Sequence, residues 1–190
     1  MVPPAPSTGE VLEFADAAGW ESWLAAEHEV RSEAWLRIGK RHSGVALLGI
    51  TDALDVALCY GWIDGHRKGL DDVSFLQRYS RRRPRSSWSQ VNVAKVEALT
   101  AAGRMRPAGL AEVLAAQSDG RWEAAYASQR TATVPPELAA ALADDPAAGA
   151  AFARLGRSEQ YAVILPLLKA GPESRAALVL RAVQRLAAQP

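Results

Sequence analysis

An α+β fold, predominantly helical with a small antiparallel sheet and a helical carboxyl-terminal module, follows from three features of this 190-residue chain. Short segments rich in aromatic and β-branched residues around Trp35, Trp62 and Phe75 read as strands. Between and after them, apolar residues recur at helical spacing behind Asp, Thr, Ser or Pro start signals. Beyond Thr131 the aromatics thin out in favour of Ala and Leu. There Pro136, Pro146 and Pro172 each stand where a first-turn proline opens a helix, predicting short antiparallel helices. The expected organisation is a disordered tail over residues 1–12, an α+β domain over 13–130 and a helical module over 131–190.

In chain order, Asp16 is a candidate N-cap for a helix running to about His28, with Trp20, Trp23 and Leu24 on one face as core. Ala34–Lys40 alternates as a strand. Thr51 is expected to cap a helix over 52–60 whose buried stripe is Leu54, Ala57 and Leu58, stopped by Gly61. A strand over 62–68 would place Trp62, Asp64, His66 and Lys68 on one face, with Ile63 and Arg67 on the other. After turn chemistry at 69–72, a third strand covers 73–80. Ser87 and Gln90 form a capping-box pattern opening a helix to about Ala102, and Pro107 opens another with Leu110, Val113 and Leu114 on one face. Trp122 and Tyr126, four apart, fit one helical turn. The last helix, from about Glu173, carries a stripe of Ala176, Val179, Leu180, Val183 and Leu186.

Composition narrows the class. Lys and Arg number 22 against 21 Asp and Glu, so any anion binding must be local, and a general nucleic-acid coat is disfavoured. A single cysteine, Cys59, excludes an intramolecular disulfide and a multi-cysteine zinc site, and reads as a buried structural thiol. The amino terminus has no basic and apolar leader pattern, and no apolar run is long enough to span a bilayer, so a cytoplasmic protein without a membrane span is expected. Phosphate-loop, dinucleotide and nucleophile-elbow motifs are absent, so no cofactor and no metal are expected.

The chemically expressive stretch is Gly61 to Asn92. Seven Lys and Arg face three Asp there, with Trp62 and Trp88 bracketing Asp64, His66, Lys68, Tyr79 and the run Arg78, Arg81, Arg82, Arg83 and Arg85. A solvated basic surface would account for it. So would recognition of an anion, because guanidinium forks match carboxylate and phosphate and rings supply flat walls. An Asp64 and His66 pair on one strand could orient an imidazole or supply two metal ligands, although two ligands close no site.

The strings ALDVALCYGWIDG (53–65), RYSRRRPRSSWSQVN (78–92), GRMRPAGL (103–110), DGRWEAAY (119–126) and VPPELAAALADDPAAGAAFARL (134–155) resemble the YdeI/OmpD-associated family of bacterial proteins. The resemblance implies a link to bacteriocin protection and to resistance against antibiotics and cationic antimicrobial peptides, and it brings no catalytic mechanism. Positions coinciding with the family's motifs are Lys40, Trp62, Asp64, Arg78, Arg82, Trp88, Ser89 and Asn92, which are expected to line a ligand pocket. Arg81 departs from a usual proline, and Pro166 and Leu178 from usual arginines. Pro166 is expected to break or kink its helix.

Three readings follow, in order of preference. The first is a protein binding a small molecule or peptide with an anionic group. The second is an enzyme on a phosphate- or carboxylate-bearing substrate, with Asp64 as general base and an arginine as electrostatic stabiliser. The third is nucleic-acid binding through Arg78 to Arg85, with steep salt dependence.

Overall fold

The computed structural model describes residues 10–188, so the expected tail lies outside the described residues for positions 1–9. The described residues fall in two compact units, 10–86 with 92–123, and 87–91 with 124–188. Eight helices and a four-stranded sheet make an α+β fold among them.

The first unit holds β1 (Val11–Glu13), α1 (Ala17–Glu27), β2 (Glu33–Gly39), α2 (Ile50–Cys59), β3 (Trp62–Gly69) and β4 (Ser74–Arg81). All but the first two residues of α3 (Gln90–Ala101) and the whole of α4 (Pro107–Ser118) complete it. Sheet order is β1-β2-β4-β3, and β4 pairs antiparallel with both neighbours as expected. The sheet is nevertheless mixed, because β1 pairs parallel with β2 through Val11 to Glu13. Three residues behind a Pro-rich stretch carry no periodicity, which is why this strand was not expected.

One face of the sheet is covered by helices and closed by rings. Trp20 and Trp23 stack at 5.2 Å, Trp62 meets both edge-on at 6.3 and 6.0 Å, and Tyr79 lies 5.8 Å from Trp20. Such offset and edge-on pairs add stabilisation beyond area burial. Asp16 caps α1 as its spacing predicts, accepting from the Gly19 N–H at 3.0 Å. Trp20 Nε1 donates to the Ala53 carbonyl at 3.1 Å and ties α1 to α2.

Several local expectations are corrected. α2 begins at Ile50 with Gly49 as N-cap, not at Asp52 behind Thr51, and its buried face is Ala53, Val56, Ala57 and Leu58. α3 begins at Gln90, so Ser89 precedes it and the start falls later than the Ser87 pattern implied. In α4 the buried positions are Gly109, Val113 and Ala116, while Leu114 is 65% exposed. Close approach to α2 decides this face: a Cβ on Gly109 would sit 2.3 Å from the Cys59 carbonyl oxygen, so the glycine side must point inward.

The second unit contains α5 (Pro136–Asp144), α6 (Pro146–Arg154), α7 (Arg157–Lys169) and α8 (Pro172–Ala187). Pro136, Pro146 and Pro172 open their helices as expected. Its core gathers Leu138, Phe152, Val163, Ile164, Leu167, Val179, Ala182 and Leu186. The α8 stripe is therefore rotated from the expected one, leaving Leu180 59% exposed. α7 runs through the exposed Pro166 without ending. Tyr126 lies in no helix: it bridges to Ser89, donating its N–H to the Trp88 carbonyl and accepting from the Gln90 N–H, both at 2.9 Å.

Candidate functional site

The face of the sheet away from the aromatic core carries the charges. Glu33, Trp35 and Arg37 of β2 lie opposite Ser80, Arg78 and Leu76 of β4, and side chains of one parity share that face. The β3–β4 turn is organised by Asp71, whose Oδ1 accepts from Val73 N, Ser74 N and Ser74 Oγ at 3.0, 2.7 and 2.8 Å. The Ser74 hydroxyl foremost, then those two amides and Arg37, hold the Asp71 carboxyl below the usual carboxylate range. Arg37 is saturated by Ser74 Oγ, Glu13 and Asp71, and hydrogen bonding to Glu13 raises its pKa further.

A bulge interrupts β3. Asp64 pairs with Tyr79 and Arg67 with Gln77, so Gly65 and His66 together oppose Arg78 alone. This corrects the expected alternation: Asp64 opposite Tyr79 and Lys68 opposite Leu76 have opposite parity and do not share a face. Gln77 is buried and fills the bulge. Its Nε2 donates to the Gly65 and His66 carbonyls at 3.0 and 3.3 Å, while its Oε1 accepts from Arg67 Nε at 3.1 Å.

Two adjoining depressions lie along this region. One, about 490 Å³, is lined by Glu33, Trp35, His66, Arg67, Lys68 and Arg78. The other, about 340 Å³, takes Glu33 and Arg78 with Ser32, Ser80, Arg81, Arg82, Arg83 and Pro84. Together they form a trough whose one acidic lining residue, Glu33, is already held by Arg78 through Nε and Nη2 at 2.9 and 2.7 Å. That leaves Lys68, Arg81 and Arg83 as its cationic surplus, Arg67 having its guanidinium on Gln77 and Phe75.

The expected site residues are distributed as follows. Arg78 and Arg82 line the trough, Arg82 being 6% exposed. Asp64 is exposed on β3 and lines neither depression. Trp62 is wholly buried among the rings, so it braces the sheet from the covered side. Lys40 lies just past β2 beside the β3–β4 turn, donating to the Asp71 carbonyl at 2.7 Å. The register puts it nine strand positions from Arg82, about 30 Å at the usual rise per residue. Asn92 is half-buried on α3 in the first unit, whereas Trp88 and Ser89 belong to the second unit, where Trp88 is 2% exposed.

Glu33, Trp35, Arg67, Lys68 and Gln77 were not among the expected pocket residues, although Arg67 and Lys68 were counted in the basic stretch and Trp35 marked a short strand. Cys59 is buried, and burial pushes its thiol up, as a structural cysteine requires. Burial, and then the Asp64 charge, likewise keep the Tyr79 hydroxyl protonated well above its ordinary range. Among the described residues no cluster of His, Cys, Asp or Glu could hold a metal, and no helix is long and apolar enough to cross a membrane.

A separate depression of about 650 Å³ lies between α3 and α4, lined by Val96, Leu110, Val113, Leu114 and Trp122 with Glu97 and Gln117. It is larger but holds one charge and no convergent polar groups.

In comparisons with known proteins, residues 12–112 match the family model described as Domain of unknown function (DUF8412). Residues 131–189 match the model described as Bacteriocin-protection, YdeI or OmpD-Associated. No curated protein and no solved structure matches the chain.

Proposed function

We propose an anion-binding role for a chain that belongs to the DUF8412 family through residues 12–112 and carries a YdeI/OmpD-associated module at residues 131–189. The ligand is a small molecule or peptide with an anionic group, seated in the trough between Lys68 and Arg83. The supporting observation is the imbalance of that trough: Lys68, Arg81 and Arg83 line it beyond an Arg78–Glu33 pair already formed. Cations gathered beside a partly shielded ring wall, Trp35, raise the local concentration of anions and pair them bidentately.

The same imbalance disfavours a cationic peptide as the ligand, since like charges would be juxtaposed. A role in bacteriocin, antibiotic or stress resistance rests on the family description of residues 131–189 and would act through an anionic ligand. Catalysis by Asp64 finds little support, because the carboxylate is exposed instead of shielded.

Titration calorimetry against nucleotides, sugar phosphates, di- and tricarboxylates, acidic peptides and short oligonucleotides tests the reading. One anionic class should bind, and Arg81→Gln with Arg83→Gln should weaken it about tenfold without altering the fold. Equal preference for any oligonucleotide, with affinity falling steeply in salt, would make the trough a nucleic-acid surface. No binding by any anion would remove the proposal.

A further inference from the structure

We propose that Glu33 is a built-in competitor for the ligand: its carboxylate holds, on Arg78, the seat that one anionic group of the ligand takes, so the ligand carries at least two such groups. This deepens the anion-binding reading and rests on it. Glu33 Oε2 accepts from Arg78 Nε at 2.9 Å and from Nη2 at 2.7 Å. An oxygen on that edge of the guanidinium is also how a ligand carboxylate or phosphate docks. The register places the contact on the trough face: Trp35 stands opposite Arg78 and Glu33 opposite Ser80, which makes Glu33 the diagonal neighbour of Arg78, beside Trp35.

Place and exposure mark the pair as a gate. Glu33 and Arg78 are the two residues that line both depressions, so their contact stands where the two volumes meet, and turning Glu33 outward joins them. The Glu33 side chain is 46% exposed, and its Oε1 has no partner among the described residues. Other charges of this sheet are more committed: Asp71 also holds two turn amides, and Arg37 is filled by Glu13, Asp71 and Ser74. The Glu33 carboxylate serves Arg78 alone, and the register it spans is already set by the seven pairs from Glu33 to Gly39. Arg78 keeps Nη1 without a partner among the described residues, 3.5 Å from where a side chain on Gly65 would begin, so a donor remains for a second ligand oxygen.

Magnitudes decide what the ligand brings. An exposed ion pair favours the closed contact by a factor of about five at most, so a competing anion can open it. A ligand with one carboxylate, however, exchanges like for like at Arg78 and leaves Glu33 unpaired beside it, with no net gain. A second anionic group changes the balance by reaching a cation that Glu33 does not hold. Lys68 lies opposite Leu76, two positions from Arg78 on the same face and about 7 Å along the strand. Arg81 and Arg83 line the trough on the other side. Glu33 thus discriminates against monoanions by repulsion, and the ligand class is an oligocarboxylate or an oligophosphate.

The test is titration of the full chain with sodium tripolyphosphate, tricarballylate and butyrate, followed by amide and carboxyl-carbon NMR, for wild type, Glu33→Gln, Arg78→Gln and the double variant. Wild type should bind tripolyphosphate or tricarballylate, the tighter of the two telling phosphate from carboxylate, and butyrate about tenfold more weakly or worse. Glu33→Gln keeps the shape, removes the charge and, at an exposed position, leaves the fold intact. It should tighten the polyanion about three- to fivefold. In the Arg78→Gln background the same change should matter by less than about twofold, because no seat is left to free. In wild type, saturation should move the Glu33 carboxyl-carbon resonance toward that of an unpaired carboxylate, a readout that needs no variant. An equal gain with and without Arg78, a loss of affinity in Glu33→Gln, or a Glu33 resonance unmoved at saturation would overturn the competitor and leave the trough standing. Butyrate binding as tightly as the polyanion would overturn the need for a second anionic group. Wild type binding neither polyanion would overturn both the competitor and the trough.

Discussion

Gln77 and Arg67 meet across the β3 bulge with a single hydrogen bond of 3.1 Å, Oε1 to Nε, and the same glutamine closes the carbonyls of Gly65 and His66 behind it. One buried amide thus links the geometry of the sheet edge to the orientation of a surface cation.

Replacing Gln77 with Leu should remove that link at a measurable cost. The bulge carbonyls would lose their donor in a buried setting, and leaving such groups unsatisfied costs about 1–3 kcal/mol. Chemical denaturation should report a loss in that range, with hydrogen exchange accelerating first near the bulge. A variant as stable as wild type would mean that water replaces the amide freely.

Asp71 gives the β3–β4 turn an acid limit. Its folded pKa lies below the ordinary 3.8, foremost through the Ser74 hydroxyl, so the stabilisation is fully present above about pH 4 and lost as pH falls through the lower folded value. Stability measured from pH 6 to pH 2 should fall less steeply in Asp71→Asn, which starts from a lower plateau. Parallel curves would contradict this.

Gly109→Ala should be severe for so small a change. The new Cβ would meet the Cys59 carbonyl carbon and oxygen, which are backbone and cannot swing aside, so α4 must move away from α2. Overpacking of this kind costs about 1–3 kcal/mol, and a melting temperature lower by roughly 3–10 °C is expected. An unchanged melting temperature would show that the two helices separate without penalty.

Pro166→Ala should stabilise the second unit. The helix continues to Lys169 despite a proline that withholds the N–H and crowds the Ala162 carbonyl, and the position is solvent-exposed. A gain of up to about 3 kcal/mol is expected from the helix-interior penalty of proline. Destabilisation would mean that the ring makes packing contacts that matter.

What was legible in the chain depended on how local the signal was. The strands near Trp35, Trp62 and Phe75, the Asp16 cap and the proline-opened helices are written in a few adjacent residues, and the fold class followed from them. Positions decided by distant partners were not legible. Leu114 and Leu180 fit apolar stripes, yet close approach at Gly109 and the packing of Ala182 rotate their helices so that both face solvent. The trough had the same difficulty: Arg78 and Arg82 stood out by their density, but Glu33 and Trp35, from a strand distant in sequence, joined them only through the β2–β4 register. Trp62, prominent in sequence, lies on the covered face because strand parity, not residue type, decides which side a ring takes.

The measurement that bears most directly on the central claim is a residue-resolved amide and indole NMR titration of the full chain with tripolyphosphate or tricarballylate. Saturable shifts should gather at Glu33, Trp35 including its indole N–H, Arg67, Lys68, Arg78 and Arg81 to Arg83, and spare Val96, Leu110, Leu114 and Trp122. Shifts centred on the α3–α4 depression, or spread evenly over surface lysines and arginines, would contradict an anion-binding trough on this sheet.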